Sequence, residues 1–434
     1  VARKTHALFR EVYDMAQAQM TQARSGAHGL APGPDIRTLD EQAVLHSYGR
    51  QPLVIARGAG MRVYADDGGE YLDFTSGIGV CSLGHCHPRL VAAVTDQVQS
   101  LWHMSNLYVT EPQARLAARL TTACGLDRVF FSNSGAEANE AAIKFARRYA
   151  KRRYGAHKGE ILTFAHGFHG RTLATVTATA KPAYQMGFGP LPGGFRYVSE
   201  TTIPAVLEAA SPATCAVLIE PIQGEGGVLP VSSEFLRNLR ELCTARGWLL
   251  LADEVQTGCG RTGTWLRCDA AGVRPDVVTL AKGLGGGLPI GATLCTDEVA
   301  EVMGPGSHGS TFGGNPVATR AACEVIDIVL EAGFLEHVRA GGERVLRRLT
   351  EMAERCGIRA CRGAGLMWGI EISGSAAAVV DACRERGLLV LTAGEHVVRL
   401  LPPLIASDAE LDEGLRILEQ AFMSVADTVE ADAG

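Results

Sequence analysis

Six short apolar runs dominate the middle of the chain: Arg128–Ser132, Ile161–Phe164, Cys215–Glu220, Trp248–Ala252, Val277–Leu280 and Ala292–Cys295. Between and after them lie longer segments with a helical period, near residues 135–153, 233–246 and 315–332. A bounded apolar run of this length is a strand buried on both faces, and parallel neighbours need a helical crossover to connect them. The alternation therefore predicts an α/β domain with a mostly parallel sheet, covering residues 75–320. Before it, Asp66-Asp67-Gly68-Gly69 offers the turn of a hairpin between Met61 and Phe74, and residues 1–48 read as a polar arm packed on a neighbour. Residues 321–434 turn to charged amphipathic helices with strands at Leu366–Ile372, Leu388–Leu391 and Val397–Leu401, a smaller C-terminal domain.

Charge excludes some functions. With 41 Lys+Arg against 47 Asp+Glu, the net charge of -6 exerts no general pull on phosphate backbones or anionic lipid. No apolar stretch approaches the roughly 18 residues of a membrane span, and no signal-peptide core follows the polar start. The expectation is a soluble, cytoplasmic protein without nucleic-acid or membrane partners. The twelve cysteines stand singly with no Cys-x-x-Cys, as suits a reducing compartment.

Three local constellations could carry chemistry. Phe131-Ser132-Asn133-Ser134-Gly135-Ala136-Glu137 runs from a strand into a helix, and Ser134-x-x-Glu137 fits a capping box. Gly135 and Ala136 would then present free N–H groups at the positive end of the helix dipole, a site for a phosphate or simply a well-capped helix. Asp253 ends a very apolar strand, where ligands of open α/β sheets bind; it is either the partner of a ligand cation or the cap of a local loop. Lys282 ends another strand and meets Gly283-Leu284-Gly285-Gly286-Gly287. Desolvated there it is a competent Schiff-base nucleophile, and the alternative is a lysine snorkelling to the surface.

Other patterns lack context. Gly258-Cys259-Gly260-Arg261-Thr262-Gly263 matches the dinucleotide fingerprint but opens no helix. His85-Cys86-His87 and the pair His166 and His169 suggest metal ligands, yet no partner at ligand spacing accompanies them, and they read as loop or site wall. Metal is not expected. The run Arg147, Arg148, Lys151, Arg152, Arg153 is best read as a solvated helix end that complements the dipole. A helix N-terminus for phosphate, then a strand-end Asp, then a strand-end Lys on one sheet describes a pyridoxal 5′-phosphate site.

In that same order the chain carries Asn133-Ser134-Gly135-Ala136-Glu137-Ala138-Asn139-Glu140, His166-Gly167-Phe168-His169-Gly170-Arg171-Thr172, Glu220-Pro221-Ile222-Gln223-Gly224-Glu225-Gly226-Gly227, Asp253-Glu254-Val255-Gln256-Thr257-Gly258, Ala281-Lys282-Gly283-Leu284-Gly285-Gly286-Gly287 and Gly309-Ser310-Thr311-Phe312-Gly313-Gly314-Asn315-Pro316. Together these resemble the motifs of class III (subgroup II) aminotransferases, with the nearest likeness to acetylornithine and succinylornithine enzymes. The resemblance implies a fold type I pyridoxal-phosphate transferase. Residues 49–74 and 321–434 would form its small α+β domain, and it would be a homodimer with sites at the interface.

The resemblance also implies roles. Lys282 would hold the cofactor covalently and then shuttle a proton, while Asp253 keeps the pyridine nitrogen protonated. Ser134, Gly135 and Ala136 would hold the phosphate, and Thr311 would reach the phosphate of the neighbouring subunit. Phe168 would stack on the ring and Gln256 would lie near its 3′-oxygen. Arg171 would clamp an α-carboxylate, Arg399 a second carboxylate, and Glu225 would mask Arg399 in one half-reaction. Substrates would be an amine donor and 2-oxoglutarate. At the position where ornithine enzymes of the family carry Tyr, this chain has Ile78, which cannot pair with a free ammonium and leaves room for an N-acyl group. Acetylornithine is therefore the expected donor, with succinylornithine, ornithine, 4-aminobutyrate or a diamine as alternatives.

Overall fold

The structure, a computed structural model, describes residues 35–432, with side chains as far as residue 425. Residues 1–34 of the expected arm lie outside the described residues. The chain divides into two units, Val1–Val54 and Ile55–Gly434. In the first, the helix Ile36–Ala43 buries none of its residues, and Asp40 pairs with Arg50 at 3.0 Å.

The second unit is built on a seven-stranded sheet in the order Arg128–Ser132, Gly291–Cys295, Val277–Leu280, Leu249–Asp253, Thr214–Ile219, Glu160–Phe164, Phe195–Val198. All neighbours are parallel except the pairs made by Gly291–Cys295, which runs against both strands beside it. The expected mostly parallel sheet is thus present with one reversed strand. Its reversal follows from the short connection after Leu280, too short for a helical crossover. The inner strands Thr214–Ile219, Leu249–Asp253 and Val277–Leu280 are buried at every residue, which is why they read as unbroken apolar runs.

The helix Gly135–Tyr154 lies close on the sheet because Ala138, Ala141, Ala142 and Ala146, fully buried, form its inner face. Thr293 donates to the Ala138 carbonyl at 2.8 Å across that contact. The helix ends with Lys151, Arg152 and Arg153 in its last turn, favourable to the dipole.

Two smaller sheets flank this core. Ile55–Ala59, Arg62–Ala65 and Glu70–Asp73 form an antiparallel meander with its expected turn at Asp66–Gly69, and Leu388–Leu389 adds to it in parallel beside Glu70–Asp73. Residues before the large sheet are thereby tied to residues near the C-terminus. The other sheet holds Ile358–Ala364, Met367–Ile372, Val397–Leu400 and Leu391–Thr392. The strand expected at Leu388–Leu391 is in fact two short strands, one in each sheet. The helix Pro316–Val329 spans the expected boundary at 320, and Ala318, Ala321, Ala322, Cys323, Val325, Ile326, Ile328 and Val329 all belong to one core with Leu280, Ala292 and Leu294 of the large sheet.

The Gly258–Gly263 segment joins these layers rather than binding a dinucleotide. Arg261 is buried, 2% exposed, and its Nη1 donates to the carbonyls of Leu366 at 3.0 Å and Pro402 at 2.5 Å. By the register Trp368↔Leu400, those two residues fall opposite each other two steps past that pair. Pro402 has no N–H to continue the ladder, and the guanidinium supplies the missing donor. Burial pulls Arg261 down to about 9. Among the described residues no helix is long and apolar enough to cross a membrane, and all twelve cysteines are free thiols.

Candidate active site

The segments leaving the parallel strands at their C-terminal ends converge on a cavity of about 410 Å³. Asp253 ends its strand, Glu220 follows the end of Thr214–Ile219, and Lys282 lies two residues past Val277–Leu280. Adjacent strands in the register Asp253↔Thr279 bring the first and last of these together. Ser134, Gly135, Ala136, Phe168, Arg171 and Gln256 line the same space. Eight of the residues to which the resemblance assigns roles therefore share one cavity, and His169 joins them.

Asp253 is buried and held from three sides. Asn139 Nδ2 donates to its Oδ2 at 2.7 Å, His169 Nδ1 lies 2.8 Å from the same atom, and the Val255 N–H donates to Oδ1 at 3.1 Å. Asn139 is itself fixed, accepting from the Thr279 hydroxyl at 2.8 Å and donating to the His169 carbonyl at 2.9 Å. A carboxylate so satisfied keeps its orientation toward a cation in the cavity. Glu220, buried in the same cavity wall, accepts from the N–H groups of Phe168 at 2.7 Å and Gly224 at 3.2 Å. Burial pushes the Glu220 carboxyl up to about 7, opposed by His169 and reinforced by Asp253.

Lys282 takes a left-handed backbone conformation, φ 44°, uncommon for a side-chain-bearing residue and a form of strain that gathers at functional sites. Burial lowers its ammonium below the usual lysine range, against the pull of Glu225 and Asp253. Among the described residues its amine makes no hydrogen bond.

One side of the cavity is a helix start. Ser134 Oγ accepts from the Glu137 N–H at 3.1 Å, the expected half of a capping box. The return half differs: Glu137 accepts from the Asn133 N–H at 2.7 Å, not from Ser134. Gly135 and Ala136, first in the helix, have no helical acceptor for their N–H groups. A Cβ on Gly135 would stand 2.7 Å from Val255 Cγ1, so only glycine lets the backbone lie this close to the cavity wall.

Two arginines near the cavity are in different states, Arg171 on its wall and Arg399 buried behind Gln256. Arg399 is buried, and its Nη1 donates to Glu225 Oε1 at 2.5 Å, the Gly224 carbonyl at 3.2 Å and Gln256 Oε1 at 3.2 Å. Burial raises the Glu225 carboxyl, but Arg399 more than offsets this and holds it below the usual range. Arg171 has no carboxylate partner among the described residues. Its guanidinium rests on the ring of Tyr184, 3.5 Å from the centroid. Thr311 and Ile78 are exposed and do not line the cavity; Ile78 sits at φ 65° in the loop after the meander.

Residues 44–422 match the family model for aminotransferase class-III. The chain belongs to that family. This class-III aminotransferase is 50% identical to an acetylornithine aminotransferase of Myxococcus xanthus over 85% of its own length and 93% of the relative's. It is 45% identical to another from Methanocaldococcus jannaschii, covering 89% and 98%. Among solved structures, N-acetylornithine aminotransferase from Stenotrophomonas maltophilia is 38% identical with a TM-score of 0.78, covering 91% of this chain and 99% of that one. Ornithine aminotransferase from Toxoplasma gondii is 32% identical with a TM-score of 0.88, covering 94% and 98%.

Class-III aminotransferases are pyridoxal 5′-phosphate enzymes, and the cavity of this one fits that cofactor. It offers N–H groups for a phosphate, an apolar lining from Phe168 and Val255, a buried carboxylate for a ring cation and an amine without a protein partner. Among the described residues no His, Cys, Asp and Glu group is arranged to hold a metal, and His169 Nδ1 lies 2.8 Å from Asp253 Oδ2. His85 instead lies 2.8 Å from Asp73, which pushes its imidazole up to about 10.

Three residues of the site went unassigned in the sequence. Asn139 follows Gly135 by four positions, one helical turn, so its direction into the cavity was legible in the spacing. Glu220 obeys the strand-end argument applied to Asp253. Tyr184 gave no signal, since its position depends on how the loop after Arg171 folds back.

Proposed function

We propose that the enzyme transfers the terminal amine of N2-acetyl-L-ornithine to 2-oxoglutarate, giving N-acetylglutamate 5-semialdehyde and glutamate, as a cytoplasmic homodimer. The observation that carries this reading is the pair of arginines in opposite states, Arg171 without a carboxylate partner and Arg399 covered by Glu225 at 2.5 Å. A site with one open and one covered arginine suits a donor that brings a single carboxylate. An acceptor that brings two needs the cover withdrawn. The acetylornithine enzymes at 50% and 45% identity support the choice of donor.

When bound, the cofactor supplies an aldehyde that links to amines and an electron sink for the carbon that loses its proton. The chain does the rest. Gly135 and Ala136 N–H groups with Ser134 would hold the phosphate at the helix start. Asp253, fixed by Asn139 and His169, would keep a proton on the ring nitrogen, and Phe168 would cover the ring face. Lys282, its ammonium destabilised by burial, would hold the cofactor between turnovers and is placed to take the proton from the substrate's amine-bearing carbon. Arg171 grips the α-carboxylate in a planar fork, placing the distant amine at the reacting end. In the return half-reaction Glu225 swings aside and Arg399 takes the carboxylate of 2-oxoglutarate next to its keto group, while Arg171 takes the far one. Gln256, already within 3.2 Å of Arg399, would lie near the cofactor's 3′-oxygen. Exposed Thr311 would complete the phosphate site of a second copy.

The test is a single half-reaction: mix purified holoenzyme in turn with N-acetylornithine, succinylornithine, ornithine and 4-aminobutyrate, and follow the cofactor's visible band. Fast bleaching by acylated ornithine alone supports the reading. Fast bleaching by an unacylated amine with N-acetylornithine inert overturns it.

A further inference from the structure

Arg171 is long, exposed and free of any carboxylate among the described residues, yet the proposed function needs its guanidinium to wait in one place. An unrestrained arginine would lose rotamer freedom on every binding event. The structure shows what restrains it. The Arg171 Cζ lies 3.5 Å from the centroid of the Tyr184 ring and 5.7 Å from that of Phe168, and the two rings meet edge to face with centroids 6.3 Å apart. Tyr184 stands in the short helix Pro182–Gln185, just past Lys181, whose Nζ donates to the Glu225 carbonyl at 3.2 Å. That helix therefore touches the cofactor-facing aromatic, the open arginine and the loop that covers Arg399.

We propose that Tyr184 is a positioning residue for carboxylate recognition: its ring face holds the Arg171 guanidinium by cation–π stacking, with the N–H fork left free for the substrate. Stacking uses the flat face of the guanidinium and leaves its edge donors unspent, whereas an ion pair would consume them. The Tyr184 hydroxyl makes no hydrogen bond among the described residues, so the ring and not the phenol carries the function. The inference rests on the reading of Arg171 as the α-carboxylate site.

The experiment compares wild-type holoenzyme with Tyr184→Leu, Tyr184→Phe and Arg171→Leu in the amine half-reaction. Two donors are used: N-acetylornithine, and N-acetylputrescine, which has the same amine and acyl ends but no carboxylate. Leucine keeps apolar contact with Phe168 and removes the ring face. The expected result for Tyr184→Leu is a half-saturation concentration for N-acetylornithine raised about tenfold, a maximal rate within about twofold, and no change for N-acetylputrescine. Tyr184→Phe restores wild-type saturation. An equal change for both donors in Tyr184→Leu overturns the proposal, as does a loss that Tyr184→Phe shares. Wild-type saturation in Tyr184→Leu beside a weakened Arg171→Leu overturns it while sparing the Arg171 reading. Wild-type saturation in Arg171→Leu overturns both.

Discussion

Arg399 and Glu225 lie 174 positions apart in the chain and 2.5 Å apart in the fold, with the guanidinium almost wholly buried beside the cavity. The proposed withdrawal of Glu225 would give one cavity two charge states, which is what exchange between a one-carboxylate donor and a two-carboxylate acceptor requires.

Glu225→Gln should leave Arg399 without its counter-charge and shift selectivity between the two amine donors from N-acetylornithine toward glutamate by about tenfold or more, the scale of a single charge interaction in a partly desolvated site. The ratio of half-reaction efficiencies measures it. The Glu225 pKa lies below its ordinary 4.5, so the stability the ion pair contributes is fully present above that value and is lost only as pH falls through the lower folded value. In wild type the selectivity ratio should hence be flat from neutral pH down to about pH 5.

Lys282→Met should abolish turnover, since it removes both the covalent anchor and a proton carrier worth on the order of 10²–10⁴-fold by itself. The apoprotein should respond in the opposite sense. A lysine whose folded pKa is depressed by burial costs stability at every pH below its unfolded value, so cofactor-free Lys282→Met should melt above cofactor-free wild type at pH 7. Calorimetry of both apoproteins checks the sign.

Asn139→Ala removes two donated hydrogen bonds, to Asp253 at 2.7 Å and the His169 carbonyl at 2.9 Å, and one accepted from Thr279 at 2.8 Å. All are buried, and the expected loss is about 2–4 kcal/mol in urea unfolding. Activity should fall further than occupancy of the cofactor, because Asp253 loses orientation but not charge.

Glu220→Gln tests the buried carboxyl behind Asp253. A carboxyl raised to about 7 by burial makes folding less favourable as pH climbs from its unfolded value of 4.5 to 7, because the unfolded chain gives up the proton first. The variant has no such titration. Its Tm relative to wild type should therefore improve between pH 4.5 and 8, whatever fixed cost the lost hydrogen bond imposes; a flat difference would refute the assignment.

Much of the architecture and half of the site lay open in the sequence because each depends on neighbouring residues. The helix Ser233–Arg246 occupies its expected span, and Gly135–Tyr154 extends its expected span by one residue. Continuous apolar runs mark strands that are covered on both faces, and the chemistry of Asp253 and Lys282 follows from their places at strand ends. The reversed strand Gly291–Cys295 was not readable, since an apolar run has the same composition in either direction.

What the sequence alone determined was therefore local: strand and helix order, the anion-binding helix start, and the strand-end Asp and Lys that together call for one cofactor. Tertiary structure decided the rest. Only the folded chain puts Asn139 and His169 on Asp253, lays Arg171 on Tyr184, completes the ladder at Pro402 with Arg261 and closes Glu225 over Arg399. The reason is physical. Periodicity and capping are set within a few residues, whereas the partner of a buried charge is set by how distant elements pack, and that packing has no signature in either segment read by itself.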